Sequence, residues 1–308
     1  MKTVFIDAGQ FITDEAMIAP LKERGEVVVF SGVPQDINEA ADRAKGAEAV
    51  AFGIMQISNE LLDRLPKLRV LQFIGTGVTS FVDMEYAASK GISVLNLEGY
   101  GNNAVAEFGI TMALAAARQV SLGNALVRSG EWVNAECEGL EIAGSKFGVV
   151  GTGNIGALVA EKASRLGAEV YCFDLFENEE LKEAYGVKYV SLEEMFRTCN
   201  IVSLHLKIND KTAGIVSRKL IDSMPERSVL VNVARSALVD EDALYDALKS
   251  KRLLAAAIDV YEEEPPKNCR FTELDNVILT PHIGYYTKKA SDNSIAMAVR
   301  SIAEALQA

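Results

Sequence analysis

At 308 residues the chain is longer than one hydrophobic core usually supports, and we expect two domains. Its 49% hydrophobic and 24% charged residues are typical of a globular protein that buries a sizeable interior. The net charge of −12 argues against a nucleic-acid partner, because binding to a phosphate backbone needs clustered Lys and Arg. An anionic ligand must therefore be held by a local arrangement of donors.

The first residues, MKTVFIDAG, lack the long apolar core of a signal peptide. No later apolar run reaches the roughly 20 residues that cross a bilayer, so we expect a cytoplasmic protein without a membrane partner. The chain has only two histidines, His205 and His282, which excludes a His-rich zinc site. The search for an imidazole acid or base therefore has two candidates.

Short apolar runs alternate with helical patterns in the first hundred residues. These runs lie at 4–6, 27–30, 49–52 and 70–74. Such alternation predicts βαβ units and a parallel sheet. A helix rich in small residues follows at 104–118, after the loop EGYGNN, and this change of pattern indicates a crossing into a second domain.

Six richer strands are predicted in the second region, at 147–150, 170–173, 201–204, 229–233, 255–258 and 277–280. Six strands of this kind suit a doubly wound nucleotide-binding sheet. The last helix, at about 289–306, has no strand of its own to cover there and is expected to return to the first domain. The predicted fold class is thus α/β with two Rossmann-like domains, one of 100–283 and one discontinuous, of 1–99 with 284–308.

A glycine-rich turn directly follows the predicted strand at 147–150 and opens a helix. Its residues are Gly151, Thr152, Gly153, Asn154, Ile155 and Gly156. Glycines at this spacing allow a sharp turn, close approach of backbone N–H groups to pyrophosphate, and tight helix packing. Asp174 ends the next strand, where an acid accepts the ribose hydroxyls of NAD and repels the 2′-phosphate of NADP. The pattern predicts an NAD site in the 100–283 domain.

Charged residues follow three successive strands of the second region. Arg235 comes after one strand, Asp259 and Glu264 after the next, and His282 after the last. The carboxyl ends of strands line the ligand crevice in such a sheet, so Arg235 is placed to hold a carboxylate bidentately. A carboxylate on one imidazole nitrogen leaves the other free to exchange a proton, and Glu264 is the candidate partner of His282.

His205, which ends the strand IVSLH, has two interpretations of equal weight: it lines the cofactor, or it caps the strand. The run Glu262 to Glu264, taken alone, is also compatible with a solvated acidic turn. The coincidence of Arg, acid and imidazole at neighbouring strand ends favours the catalytic interpretation.

The chain resembles the D-isomer-specific 2-hydroxyacid dehydrogenase family over nearly its whole length. The likeness rests on IGTGV at 74–78, VAE at 105–107, GTGNIG at 151–156 followed by Asp174, VNVARSALVDEDAL at 231–244, IDVYEEEP at 258–265 and TPHIG at 280–284. The expected activity is interconversion of a small 2-oxo acid and a D-2-hydroxy acid by an NAD-dependent oxidoreductase.

Site roles also follow from this resemblance. It implies Arg235 as binder of the substrate carboxylate and carbonyl, Glu264 as partner of His282, and His282 as acid and base. Asp259 is expected to support both the cofactor and this pair. Backbone N–H groups of Thr76 and Gly77 are expected to help hold the substrate carboxylate. The remaining residues expected along the cofactor are Val105, His205, Val233 and Ala234.

The resemblance further implies a homodimer formed mainly through the nucleotide domain. Several departures from the family pattern concern the substrate pocket: TSFVD replaces an Asp-Asn pair, Phe108 replaces a frequent His, and YGNN shifts the usual Asn. Glu264 argues against the formate-oxidising branch, which has Gln there. Phosphoglycerate dehydrogenases typically have an Arg-Ser pair after the third strand, where this chain reads GIMQIS, so a phosphorylated substrate is less expected.

Two other functions stay open. The same fold serves as a corepressor in some relatives, so an NAD(H)-sensing binding protein is one alternative. A dehydrogenase of another small anion, such as phosphite, is the second. The intact Arg, Glu and His favour the 2-oxo acid reductase.

Overall fold

The computed structural model describes residues 1–307, which form two α/β units. Unit 1 combines Met1–Gly101 with the segment that begins at Tyr286, and unit 2 is Asn102–Tyr285. Each unit has one sheet whose neighbouring strands are all parallel. The predicted α/β fold with two parallel sheets is therefore confirmed.

The sheet of unit 1 has five strands in the order β2-β1-β3-β4-β5. These are β1 (Lys2–Phe5), β2 (Glu26–Val29), β3 (Ala49–Phe52), β4 (Val70–Phe73) and β5 (Ser93–Leu95). The helices are α1 (Ala19–Lys22), α2 (Ile37–Arg43), α3 (Asn59–Asp63), α4 (Met84–Ser89) and α12 (Lys288–Ala305). The apolar face of α12, with Ile295 and Ile302, packs in one cluster with Phe5 of β1 and Val70 of β4. The C-terminal helix therefore covers one face of this sheet.

The sheet of unit 2 has seven strands in the order β12-β11-β10-β9-β6-β7-β8. They are β6 (Lys146–Val150), β7 (Glu169–Phe173), β8 (Lys188–Tyr189), β9 (Ile201–Leu204), β10 (Val229–Asn232), β11 (Ala255–Ile258) and β12 (Val277–Leu279). Sequence analysis predicted six strands and missed β8. This strand has two residues and no apolar run, and its pairing with β7 defines it.

Helices cover both faces of the unit 2 sheet. They are α5 (Asn102–Ala117), α6 (Val120–Arg128), α7 (Asn154–Arg165), α8 (Glu179–Tyr185), α9 (Leu192–Thr198), α10 (Arg218–Ser223) and α11 (Glu241–Lys249). Small residues let α5 lie close to the sheet: a Cβ on Gly109 would be 3.6 Å from Cγ2 of Val233.

Across residues 1–307, no single helix is long and apolar enough to span a membrane; α5 and α6 meet that criterion only as a pair bent by 61°.

Five neighbouring strands of unit 2 end at the same level. Val150 of β6 pairs with Leu204 of β9, and Leu204 pairs with Asn232 of β10. The register continues from Asn232 to Ile258 of β11 and from Ile258 to Leu279 of β12. Because all these strands are parallel, the loops after them lie side by side at one edge of the sheet.

A buried carboxylate organises the corresponding edge of unit 1. Asp7, which is fully buried after β1, accepts N–H bonds from Gly53 at 2.7 Å, Ile54 at 2.9 Å and Met55 at 2.8 Å. Three donors from one loop compensate the desolvation of the charge. Asp7 therefore fixes the path of the chain after β3.

Replacing Asp7 with Ala should lower the free energy of unfolding by about 3 kcal/mol or more, because three backbone donors lose a charged acceptor. The matched control is Asp36→Ala. Asp36 also accepts two backbone N–H groups, at the start of α2, but it is exposed, and loss of such a cap costs about 1 kcal/mol. Urea unfolding of both variants tests this difference; equal small losses would contradict it.

Candidate functional site

The glycine-rich turn lies between β6 and α7, as the sequence indicated. Gly151 has φ of +93°, in the left-handed region, and its N–H donates to the carbonyl of Phe173 at 2.7 Å. Gly153 caps α7 without a side-chain hydrogen bond, and no acidic residue lies in the first turn. The first N–H groups of a helix have no partners within it, so this end of α7 offers donors to an anion.

Each glycine of the turn has a distinct spatial constraint. A Cβ on Gly156 would lie 1.8 Å from the carbonyl oxygen of Gly151, which leaves no room for any side chain. A Cβ on Gly153, in contrast, would meet no protein atom within 4 Å. The turn is thus closed on the protein side and open above Gly153. This shape and the uncapped helix fit the pyrophosphate of a dinucleotide.

Asp174 follows β7 and lies beside the turn. One oxygen, Oδ2, accepts the N–H of Thr152 at 2.7 Å, and the other, Oδ1, accepts the N–H of Leu175 at 2.7 Å. Tyr189 of β8 donates its hydroxyl to Oγ1 of Thr152 at 2.8 Å. These bonds orient the carboxylate, which fits the predicted role as acceptor of ribose hydroxyls.

Arg235 follows β10, at the edge of the sheet. Buried Asn232 shapes the turn, since its Nδ2 donates to the carbonyl of Arg235 at 2.9 Å and its Oδ1 accepts the N–H of Ala234 at 3.1 Å. The guanidinium donates to the carbonyl of Ala234 at 2.6 Å and is partly exposed. The remaining N–H groups of its planar fork suit a carboxylate.

His282 lies in a strained loop after β12. Its φ is +51°, a backbone conformation that residues other than glycine rarely adopt. Asp259, buried after β11, fixes this loop: Oδ1 accepts the hydroxyl of Thr280 at 2.6 Å and the N–H of Ile283 at 2.9 Å, and Oδ2 accepts the N–H of Gly284 at 2.8 Å. These hydrogen bonds hold the loop that carries His282, which is compatible with the expected role of Asp259 in supporting Glu264 and His282.

Glu264 and His282 are in direct contact. Nδ1 of His282 is 2.7 Å from Oε2 of Glu264, and the side chains are 39% and 37% exposed. Burial raises the pKa of Glu264, but hydrogen bonds from His282 and the N–H of Tyr261, with the nearby Arg235 charge, together hold it below its usual value. An ionised carboxylate on Nδ1 favours the protonated imidazole and leaves Nε2 available for proton exchange.

His205 directly follows β9, below the glycine-rich turn. Its Nε2 is 2.8 Å from Oγ of Ser203, and its Cβ would be 3.3 Å from a Cβ on Gly156. Burial lowers the pKa of His205 to about 3. The ring is therefore neutral near pH 7, which makes His205 the weaker of the two candidate acids.

The other predicted residues are divided between the two units. Val105 lies on α5, and Val233 is buried directly after β10, both in unit 2. Thr76 and Gly77 lie in unit 1, after β4. The N–H of Gly77 already donates to Oδ1 of Asn96 at 3.0 Å. Binding of a substrate carboxylate by Thr76 and Gly77 stays a prediction.

Sequence analysis missed the residues that hold the loops. Asn96, Asn232, Thr280 and Tyr261 each bond to a segment that carries a predicted site residue. Asn96 directly follows β5, and the other three lie within motifs that the sequence analysis had recognised; this position is the signal that could have identified them.

Comparisons with known proteins identify the family to which the chain belongs. Residues 110–284 match the family model described as D-isomer specific 2-hydroxyacid dehydrogenase, NAD binding domain. The chain therefore belongs to the D-isomer-specific 2-hydroxyacid dehydrogenase family and carries its NAD-binding domain.

Relatives in this family differ in their named substrates. The chain is 35% identical over 295 residues to D-3-phosphoglycerate dehydrogenase of Methanocaldococcus jannaschii, covering 95% of this chain and 56% of that protein. It is 32% identical to glyoxylate reductase of Thermococcus litoralis, covering 80% and 76%. Among solved structures, pyruvate reductase of Chlamydomonas reinhardtii aligns with a TM-score of 0.89 at 25% identity, covering 100% and 97%. The chain thus spans little more than half the length of the first relative.

Two glycine substitutions separate cofactor binding from folding. In Gly153→Ala the added methyl meets no protein atom, and Ala is only a poorer cap for α7, so we expect a small change in melting temperature; NADH affinity should fall at least about tenfold because the methyl occupies the pyrophosphate space. In Gly156→Ala the methyl meets backbone, so melting temperature and affinity should both fall. Thermal melts and NADH fluorescence titrations measure both effects. Parental affinity in Gly153→Ala would argue against this location of the pyrophosphate.

Proposed function

We propose that this protein reduces a small 2-oxo acid to a D-2-hydroxy acid with NADH, and catalyses the reverse reaction with NAD. The observation that carries the proposal is the 2.7 Å contact between His282 and Glu264, at the edge of the sheet where Arg235 and the glycine-rich turn also lie. A structural ion pair explains neither the strained His282 backbone nor the partly exposed guanidinium.

Each side chain has a separate task in this reaction. Arg235 binds the substrate carboxylate through its planar fork and stabilises the charge that develops on the carbonyl oxygen. His282, protonated on both nitrogens, donates a proton from Nε2 to that oxygen. Glu264 keeps its charge against Nδ1 and holds the ring in place. When bound along residues 151–156, NADH supplies the hydride.

The reverse reaction uses the same groups. Neutral His282, with its remaining proton on Nδ1 facing Glu264, accepts the hydroxyl proton at Nε2. Because the pKa of Glu264 is held below its usual value, the carboxylate stays ionised near neutral pH and can stabilise the imidazolium that forms. The pair therefore works in both directions without proton transfer to Glu264.

A phosphorylated substrate is the second candidate, because the first relative is named D-3-phosphoglycerate dehydrogenase. The loop after β3 does not favour it: residues 53–58 read GIMQIS and contain no cation, and Asp7 is bonded to three of their N–H groups. The nearby Arg43 is bonded to Glu39 and to the carbonyls of Ile6 and Gly32. An unphosphorylated acid is therefore the favoured substrate.

Homodimer formation through the NAD-binding domain and a cytoplasmic location also belong to this proposal, and both rest on the family resemblance. Light scattering of the purified protein measures the first.

A substrate panel tests the activity. NADH oxidation should be measured with glyoxylate, hydroxypyruvate, pyruvate, branched 2-oxo acids and phosphohydroxypyruvate, and NAD reduction with phosphite. We expect turnover with at least one unphosphorylated 2-oxo acid. Tight NADH binding without turnover would favour the NAD(H)-sensing alternative, and phosphite oxidation alone would favour the other small-anion enzyme.

His282→Ala should lower the reductive turnover by about two to four orders of magnitude, because general acid catalysis typically contributes that much. NADH affinity should change little. The control is His205→Gln, which removes the other imidazole and should retain far more turnover, since His205 is neutral near pH 7. Retention of most activity in His282→Ala would show that another group donates the proton.

Glu264→Gln should move the pH profile of reduction to lower pH. Reduction requires protonated His282, and loss of the negative charge on Nδ1 disfavours that form, so more acid is needed to populate it. Because the pKa of Glu264 in the parent protein is held below its usual value, this carboxylate stays ionised over the neutral range in which the two profiles are compared. The profile of kcat/KM against pH measures the effect, and an unchanged midpoint would contradict the assigned role.

Asp174→Ala should narrow a clear preference for NADH over NADPH, because the carboxylate repels a 2′-phosphate. The ratio of kcat/KM for the two cofactors is the measurement. Equal efficiency of both cofactors in the parent protein would contradict the NAD assignment.

A further inference from the structure

Tyr261 contacts both loops of the proposed catalytic pair. Its N–H donates to Oε1 of Glu264 at 3.0 Å, and its hydroxyl donates to the carbonyl oxygen of Thr280 at 3.0 Å. We propose that Tyr261 is a positioning residue that sets the distance between Glu264 and His282 by tying the loop after β11 to the loop after β12. This inference rests on the proposed function.

The carbonyl oxygen of Thr280 accepts two hydrogen bonds at the strained turn. It accepts the N–H of His282 at 3.1 Å as well as the Tyr261 hydroxyl. A residue with φ near +51° is held there only if its surroundings determine the conformation. Asp259 supplies one set of restraints, on the side chain of Thr280 and on the residues after His282. Tyr261 supplies a restraint on the carbonyl before it.

Glu264 is fixed by the same residue from the other side. Its two oxygens have different partners, the N–H of Tyr261 on Oε1 and the imidazole of His282 on Oε2. One residue therefore orients the carboxylate through its backbone and the histidine loop through its side chain. Loss of the hydroxyl would remove one restraint from the histidine loop, while Asp259 still holds it, and would leave the carboxylate in place; we expect their contact to lengthen.

The phenol remains a donor over the range in which the reaction is measured. Burial raises the pKa of Tyr261 to about 12, helped by the nearby Cys269, Asp259 and Glu264. The ionisable groups that act on Tyr261 or Glu264 include Cys269, Asp259, His282 and Arg235. Replacing Tyr261 with Phe changes none of these charges, so its effect on the pH profile reports geometry.

Tyr261→Phe should lower kcat for the 2-oxo acid about five- to twentyfold, the loss expected when one partly buried hydrogen bond no longer aligns an acid. NADH affinity should stay within about twofold. The pH profile of reduction should move to lower pH, because a longer contact with Glu264 stabilises protonated His282 less. Tyr185→Phe is the matched control, since its hydroxyl is hydrogen-bonded to the surface residue Arg165 on α7 and not to either of these loops. Parental kinetics in Tyr261→Phe would overturn the proposal.

A spectroscopic readout is independent of turnover. With ¹⁵N-labelled histidine, the Nδ1 proton of His282 should give a downfield signal, because it is donated to a carboxylate at 2.7 Å, and its rate of exchange with water can be compared between variants. In Tyr261→Phe this proton should exchange several-fold faster, whereas Tyr185→Phe should match the parent. Equal exchange rates in all three proteins would contradict the positioning role. If the parent shows no turnover with any acid, the proposed function fails, but this comparison still decides the role of Tyr261.

A double-substitution cycle shows whether Tyr261 acts through Glu264. In the Glu264→Gln background the charge that the geometry controls is absent, so adding Tyr261→Phe should leave the pH profile where Glu264→Gln alone puts it. Additive shifts would mean that Tyr261 acts by a route other than this contact, and would overturn the inference.

Discussion

The proposed chemistry depends on one constraint: the parallel strands of unit 2 end in register, at the same edge of the sheet. Strands β10, β11 and β12 end in register, so the residues after them, widely spaced in sequence, meet at one edge of the sheet. Residues from Arg235 to His282 become neighbours only through this register. The glycine-rich turn after β6 lies at the same edge, next to β9, where the strand order reverses. The residues proposed to bind the cofactor and to catalyse the reaction are thereby placed by backbone hydrogen bonds of the sheet.

The backbone at His282 shows how such a site is stabilised. A left-handed conformation and a buried Asp259 charge are each unfavourable alone. Together they offset one another, because the strained loop turns its N–H groups and the Thr280 hydroxyl toward the carboxylate. The histidine thus gains a fixed orientation before any ligand binds, a requirement for efficient proton transfer.

The sequence predicted the two parallel sheets and the position of the glycine-rich turn, because apolar strands and glycine spacing are local patterns. It missed β8, whose two residues have no such pattern and form a strand only by pairing with β7. It also left two interpretations of His205, and only the burial of its ring shows why it stays neutral near pH 7. Tyr261 was missed because its hydroxyl bonds to a loop that is distant in sequence. Asn232 was missed because its side chain bonds to a carbonyl of the turn that follows it. Hydrophobic periodicity carries no information about such bonds.

The most direct test of the account is the tautomer of His282, since Glu264 is assigned to hold a proton on Nδ1 and leave Nε2 for the substrate. The chain has only two histidines, so ¹⁵N-histidine NMR of the protein without substrate gives two sets of ring signals, assigned with His282→Ala. Above the pH at which the ring loses its charge, the account predicts that Nδ1 of His282 carries the proton and Nε2 does not. A proton on Nε2 in that state would contradict the assigned roles of both residues.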